Sequence, residues 1–396
     1  MLNPIPLKRE IRRVCPKCPE EGSSMVRDYL NAGRLGFVLL AGGAGSRLGH
    51  FLPKGTFPVG PVTGKSLFQI HLEKLSRLQE TCSAPLFLFL MTSRVTHSDT
   101  LTFLQDHAFF GFPESQVFLF EQNEVPVISL RDGQPYRDSS GRKIFAPDGH
   151  GGLITALGTS GMYDRMEKLG IDTIETFHVD NPLVPLADPV MLEEHLQNHS
   201  DMTLLAVEKE SPLEKVGNIV HPHNDRASLH VVEYMDFPDS LAIQRNASGK
   251  LTFWAGSIGI HLIERAFLQR MQRNLAANEH FLPLHLPRKK VATDDGEVEV
   301  LKPERFIFDI LPFAERPQVV VADRLEVFAT LKDDPDVVRS HLSRLYASWL
   351  KEAGITFPEK AVVEISPRLA VCWEELKKHF PDPFRMEENR IYLDLS

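Results

Sequence analysis

Between Gly36 and Gly55 the chain reads GFVLLAGGAGSRLGHFLPKG, a set of residue types suited to holding phosphate. Gly42-Gly43-Ala44-Gly45 is a turn whose near-absence of side chains lets backbone N–H groups close on an anion. Arg47 and Lys54 follow on the same loop and bring the cations that phosphate oxygens need. No Gly-Lys-Ser/Thr follows at P-loop spacing. The dinucleotide fingerprint fails as well, because Leu48 stands where its third glycine belongs and no ribose-binding acid follows at the required distance. A ligand-free glycine turn is the plain alternative, and the two cations argue against it.

Two further stretches carry chemistry. Asp148-Gly149-His150-Gly151-Gly152 puts three glycines around a histidine, which permits close approach of backbone to a flat group such as a base, or makes a simple surface turn. Asp180 stands at the carboxyl end of a strand over Ile174 to Val179, where a carboxylate can hold Mg²⁺ jointly with phosphate oxygens or merely cap a turn. His178, on the same strand, reads as packed rather than catalytic. No Ser/His/Asp or Cys/His motif stands out. Glycine loops, cations and one carboxylate suit a reaction in which the protein positions phosphates and spreads charge, without a covalent intermediate. Nucleotidyl transfer fits: a sugar-1-phosphate oxygen attacks the α-phosphorus of a nucleoside triphosphate and pyrophosphate leaves.

These loops need a frame. Phe37 to Ala41 and Pro85 to Met91 read as buried strands and Gln116 to Glu121 and Ile174 to Val179 as further strands, with helices over Ser66 to Glu80 and Thr100 to Ala108 between the first three. That alternation predicts an α/β fold with a mostly parallel sheet, whose ligands sit beyond the carboxyl ends of the strands. Asp188 is placed to cap a helix over Pro189 to Asn198. From Met202 hairpin-like strands follow, then a helix over Ala266 to Ala277 and a loop over Phe281 to Val300. A helical PERFIFDILPFA, an amphipathic helix over Val337 to Ala353, and the strands VVEISP and IYLDLS around a helix from Trp373 to His379 complete the chain. The expected organisation is a helical N-terminal extension over 1–35, a catalytic core over 36–325, and a C-terminal α+β extension over 326–396.

The 396 residues carry a net charge of −9 with ordinary hydrophobic content, which disfavours nucleic acid and acidic membranes as partners. No run of 18 apolar residues occurs, so a soluble cytoplasmic protein is expected. Cys15 and Cys18 have metal-knuckle spacing but lack a second ligand pair, while Cys82 and Cys372 stand alone, so a reduced chain is expected.

LLAGGAGSRLG…PKG resembles the signature of the nucleotide-sugar pyrophosphorylases, specifically the eukaryotic-type UDP-N-acetylglucosamine pyrophosphorylases. The match continues in order through Phe120-Glu121-Gln122, APDGHGG, HVDNPLVPLADP, EKVGNIV, VVEY, LKPERFIFDI and the lysine of ATLKD, nearly the whole chain. The resemblance implies a Rossmann-like nucleotidyltransferase core with small terminal extensions, taking UTP and a sugar-1-phosphate to UDP-sugar and pyrophosphate with Mg²⁺. It implies that Leu40, Ala41, Gly42 and Gly43 hold uracil and ribose, with Gln122 and Gly149 reading the uracil edge. Arg47 and Lys54 would bind the triphosphate, Asp180 the metal, and Lys302 and Lys332 the phosphates of nucleotide and sugar. Gly217, Glu233 and Tyr234 would line the sugar site.

Departures from the family pattern concentrate on the sugar half. His150 replaces an asparagine near base and sugar, and Ser257 and Ile260 replace both asparagines of the family's G-N-I-x-N-H segment. N-acetylglucosamine-1-phosphate is the expected substrate, with glucose-1-phosphate or a broader sugar range as the alternative. A nucleotide-binding family member without catalysis, or an NAD(P)-dependent dehydrogenase, are the more distant readings.

Overall fold

A computed structural model describes residues 4–8, 13–14, 22–223, 225–293, 296–332, 334–379, 386–387 and 389–395. Helix α1 (Ser24–Asn31) leads into strand β1 (Leu35–Leu40). All six residues of β1 are buried, because Phe37 and Leu39 face one helical layer while Val38 and Leu40 face the other. A strand covered on both sides reads as a continuous apolar run rather than an alternating one. Helix α2 (Leu67–Thr81) starts at Ser66, whose side chain accepts from Gln69 N, and buries Phe68, Leu72 and Leu75. Strand β2 (Leu88–Thr92), helix α3 (His97–Asp106) and strand β3 (Val117–Glu121) follow. Next come helix α4 (Leu153–Thr159), strand β4 (Thr173–His178) and helix α5 (Pro189–Gln197). Asp188 caps α5 as expected, accepting from Val190 N and Met191 N.

The second half supplies β5 (Met202–Glu208), β6 (Gly217–His221), β7 (His230–Val232) and β8 (Ala255–Glu264). Helix α6 (Arg265–Ala277), the hairpin β9 (Arg288–Thr293) and β10 (Gly296–Leu301), and β11 (Gln318–Ala322) come next. The chain closes with helix α7 (Pro335–Glu352), strand β12 (Val362–Ile365), helix α8 (Trp373–His379) and strand β13 (Arg390–Leu393).

The central sheet runs β3-β2-β1-β4-β8-β5-β11. Its neighbours are parallel except around β8, which lies antiparallel to both β4 and β5. The predicted mixed, mostly parallel sheet between helical layers is therefore what forms. Strand order reverses between β1 and β4, so their carboxyl ends open a crevice in which ligands of such sheets bind. Among the described residues no helix is long and apolar enough to cross a membrane.

Four expectations need correction. The stretch read as a loop over Phe281 to Val300 contains the β9–β10 hairpin, extended by Ile128–Ser129. Its exposed charges masked the pattern, and Val291, Val298 and Val300 pack on a satellite core around Val127 and Ala146. The N-terminal extension is not only helical: Ile5–Pro6 pairs with β6, and Arg13–Val14 adds a parallel edge strand beside β11. Among the hairpin-like strands expected after Met202, LHVVEYMD stops short: β7 ends at Val232, so Glu233 and Tyr234 lie just past it. Cys372 is disulfide-bonded, which overturns the reading of a wholly reduced chain, while Cys82 is free. The bond's partner lies outside the described residues, as do Cys15 and Cys18 with their suggested metal spacing.

A candidate nucleotide and sugar-phosphate cleft

The loop after β1 folds back on itself as a compact hairpin-like cradle. Lys54 N donates to Gly43 O at 3.0 Å and Gly45 N to Leu52 O at 3.1 Å. Phe68 of α2 packs so closely beneath that a Cβ on Gly55 would stand 2.2 Å from its ring. This anchoring brings Lys54 to the end of β4, where its Nζ meets Asp180 Oδ2 at 2.8 Å. Burial raises the Asp180 carboxyl, yet Lys54, with His178 and Lys332 nearby, holds it below the usual carboxylate range. It stays ionised. Oδ1 of Asp180 has no hydrogen-bond partner among the described residues and is not sealed from the cleft. Lys54, Asp180, Lys332 and Tyr234 line, with Gly43 to Ser46, a cleft of about 500 Å³. Arg47 lies on the same short turn, Ser46–Leu48.

One buried amide ties Asp180 to Lys332. Asn181 is 2% exposed; its Nδ2 donates to Val327 O at 2.8 Å and its Oδ1 accepts from Ala329 N at 3.1 Å and Leu183 N at 3.2 Å. Leu331 N donates to Asp180 O at 2.8 Å. The segment before α7 is thereby stitched to the carboxyl end of β4, and Lys332 Nζ reaches across to Lys215 O at 3.2 Å.

A second cavity of about 420 Å³ joins the first at Gly43 and Ala44. Leu40, Gly42, Gln122, Gly149 and Lys302 line it, while Ala41 is buried beneath. The Gln122 amide lies so close over Gly42 that a Cβ there would stand 2.8 Å from Nε2. That amide presents a donor and an acceptor side by side, the complement of a uracil edge. Lys302 pairs with Glu304 at 2.7 Å and sits beside Gln122, away from the Lys54–Asp180 cleft. The structure thus places it against the base-side cavity, apart from the other phosphate lysines.

The glycines of the second loop serve a different approach from the one expected. A Cβ on Gly149 would stand 2.5 Å from Arg305 O, and one on Gly151 2.6 Å from Arg305 C. They fit the loop against the chain's own 305–306 backbone, with Gly151 N donating to Arg305 O at 2.8 Å. His150 is thereby fixed: its ring stacks on Phe306 at 5.1 Å and its Nδ1 accepts from Ile307 N at 3.1 Å. Burial, reinforced by His178, pushes its pKa well below the ordinary value. A neutral ring accepting at Nδ1 carries its proton on Nε2, and so can donate into the space it borders.

The third cavity, about 180 Å³, is bordered by His150, His178, Gly217, Glu233, Ser257, Gly259 and Thr330, among others. Burial raises the Glu233 carboxyl. A bulge opposite Leu205 and Ala206 of β5 turns Ile258 and Gly259 out of the ladder and into this wall. Gly259 has φ +75°, and a Cβ there would stand 2.6 Å from His178. Of the two replaced asparagine positions, Ser257 borders the cavity, whereas Ile260 pairs with Leu205 and is 1% exposed.

A family model described as UTP–glucose-1-phosphate uridylyltransferase matches residues 17–390. The chain belongs to that family. Within this uridylyltransferase family it is 34% identical to "UDP-N-acetylglucosamine diphosphorylase 2" of Arabidopsis thaliana, over 87% of this chain and 72% of that protein. It is 33% identical to "UDP-N-acetylhexosamine pyrophosphorylase-like protein 1" of Xenopus tropicalis, over 90% of this chain and 77% of that protein. The crystal structure of uridine diphosphate N-acetylglucosamine pyrophosphorylase from Trypanosoma brucei, in complex with an inhibitor, superposes with a TM-score of 0.84 at 25% identity. It covers 99% of this chain and 86% of that one.

For a uridylyltransferase, the residues singled out in the sequence cluster well: Lys54, Asp180 and Lys332 in one cleft, the nucleotide set in the next cavity, and His150, Gly217 and Glu233 in the third. Tyr234 borders the phosphate cleft rather than the sugar cavity. Sequence reasoning missed three positions. His178, expected to be packed, borders two of the cavities. Its place two residues before Asp180 was the available signal. Asn181 stands directly behind Asp180 in HVDNPLVPLADP and Lys215 lies in EKVGNIV, but nothing local in either segment singles out the side chain.

Proposed function

We propose that this chain is a uridylyltransferase that makes UDP-sugar and pyrophosphate from UTP and a sugar-1-phosphate, N-acetylglucosamine-1-phosphate being the preferred acceptor. The observation that carries the reading is the adjacency of three cavities, one suited to a base, one to a chain of phosphates and one to a sugar: the phosphate cleft shares Gly43 and Ala44 with the base-side cavity, and Asp180 and Lys332 with the sugar cavity. The names borne by the relatives support N-acetylglucosamine, and the family description keeps glucose-1-phosphate as the second reading.

In this mechanism uracil lies against Leu40 to Gly43, its edge met by Gln122 and by the backbone at Gly149. The glycine loop, Arg47 and Lys54 hold the triphosphate so that the leaving pyrophosphate points away from the sugar cavity. Glu233, together with the Nε2–H of His150, orients the sugar. The phosphate oxygen of the sugar-1-phosphate attacks the α-phosphorus in line, the bond to the bridging oxygen of pyrophosphate breaks, and Lys54 and Lys332 stabilise charge on the oxygens involved. Preorganisation of the charged groups, with no covalent intermediate, supplies the rate enhancement.

Magnesium belongs to this proposal. Among the described residues no group of three or more His, Cys, Asp or Glu side chains is arranged around a metal. Asp180 Oδ1 is nonetheless open to the cleft, and Mg²⁺ commonly rests on one carboxylate plus substrate phosphates. Bound there, it would neutralise phosphate charge. Pyrophosphate release with Mg²⁺ and UTP, measured over a panel of sugar-1-phosphates and against other nucleoside triphosphates, tests the reading. Activity with no sugar-1-phosphate, or preference for another triphosphate, would sink it.

A further inference from the structure

Three residues border both the phosphate cleft and the sugar cavity: Asp180, Lys332 and Lys215. On the proposed reaction, this shared edge is where the sugar's phosphate must meet the α-phosphorus of UTP. Asp180 is committed to Lys54 at 2.8 Å, and Lys302 is committed to Glu304 at 2.7 Å. Lys332 is docked on the carbonyl oxygen of Lys215 at 3.2 Å. The Lys215 side chain is exposed and has no ion-pair partner among the described residues. Its neighbour Glu214 is engaged elsewhere, by Arg324 and by Glu210 N at 2.9 Å. Two dianionic or more highly charged phosphates meeting at one edge repel each other strongly unless cations lie between them.

We propose that Lys215 is a phosphate-binding residue whose ammonium holds the sugar-1-phosphate at the shared edge of the two cavities, beside Lys332. It thus places the attacking oxygen. The proposal rests on the uridylyltransferase reading and adds a residue to it. The flexible four-carbon stem of lysine allows the ammonium to swing in over a bound phosphate and release with product. Position 215 offers an unusually clean test, because the contact to Lys332 is made by the backbone carbonyl and survives any side-chain change.

The experiment compares wild type with Lys215→Met, which keeps the stem and removes the charge, and with Lys215→Arg. Initial rates of pyrophosphate release are measured with UTP and N-acetylglucosamine-1-phosphate, alongside thermal midpoints. The expected result is a rise of about 10-fold or more in KM for the sugar-1-phosphate in Lys215→Met, a loss of one charge-assisted contact. KM for UTP should change less, the thermal midpoint should not move, and Lys215→Arg should stay within about 3-fold of wild type by keeping the charge. Unchanged sugar-1-phosphate KM in Lys215→Met would overturn the inference. If wild type itself turns over no sugar-1-phosphate, the reaction reading fails on its own. Calorimetric binding of inorganic phosphate then reads Lys215 directly, equal affinity in wild type and Lys215→Met counting against it.

Discussion

Replacing Asn181 tests whether the cleft is assembled by the joint between β4 and the segment that carries Lys332. Its amide orientation is fixed by its surroundings: Nδ2 must face the Val327 carbonyl, since Oδ1 accepts from two backbone N–H groups. Asn181→Ala removes all three bonds and leaves Val327 O, Ala329 N and Leu183 N unpaired in a buried place. At roughly 1–3 kcal/mol for each unsatisfied group, less what relaxation recovers, the loss is about 3 kcal/mol of stability. Asn181→Asp is the sharper probe. It keeps shape and both accepted bonds, but sets an oxygen against Val327 O at the 2.8 Å now spanned by a hydrogen bond. Two facing acceptors push the segment apart and shift Lys332 relative to Asp180, and a displacement on the order of 1 Å costs about 10²-fold in rate. Protonation restores a donor, so activity of Asn181→Asp relative to wild type should rise as pH falls. The assay is pyrophosphate release across pH, with thermal unfolding in parallel. Wild-type kcat in Asn181→Asp with a flat activity ratio across pH would refute the joint.

Three more expectations follow from the same geometry. Lys54→Ala removes the 2.8 Å partner of Asp180 and a cation facing the triphosphate; kcat should fall at least about 10²-fold, and retained wild-type turnover would remove its assigned role. Gly151→Ala drives a Cβ to 2.6 Å from Arg305 C, so we expect about 1–3 kcal/mol of lost stability and weaker nucleotide binding as the His150 loop shifts. An unchanged melting midpoint would contradict that packing. The third concerns His261, which burial pushes down to about 3. Below its unfolded value near 6.5 the unfolded chain takes up a proton that the folded chain refuses, so stability falls as pH drops from there toward the folded value. Over pH 7 to 5, wild type should lose about 2 kcal/mol more than His261→Gln, and parallel curves for the two would exclude the effect.

The order in which these features could be read has a physical reason. Strands β1 and β2 are covered on both faces, so their apolar runs are almost unbroken, and the loops beyond β1, β3 and β4 carry their own chemistry in sequence: Gly42 to Lys54, Gln122, Asp180. The β9–β10 hairpin escaped because a small satellite core asks for only a few valines among exposed charges. The roles of Gly149 and Gly151 were only half legible. Glycine signals close approach, but not whether the approaching group is a ligand or, as here, Arg305 and Phe306. The β8 bulge that turns Ile258 and Gly259 into the sugar cavity while leaving Ile260 in the ladder depends on pairing with β5, which no local pattern records. Asn181 and Lys215 act through partners more than 100 residues away, so neither stands out along the chain.

The most direct test of the central claim follows the phosphorus atoms. With Mg²⁺, N-acetylglucosamine-1-phosphate and UTP labelled separately at the α- and γ-phosphorus, the α-label should appear in UDP-N-acetylglucosamine and the γ-label in pyrophosphate. Appearance of the α-label in UMP alone, or no UDP-sugar with any sugar-1-phosphate, would contradict the account.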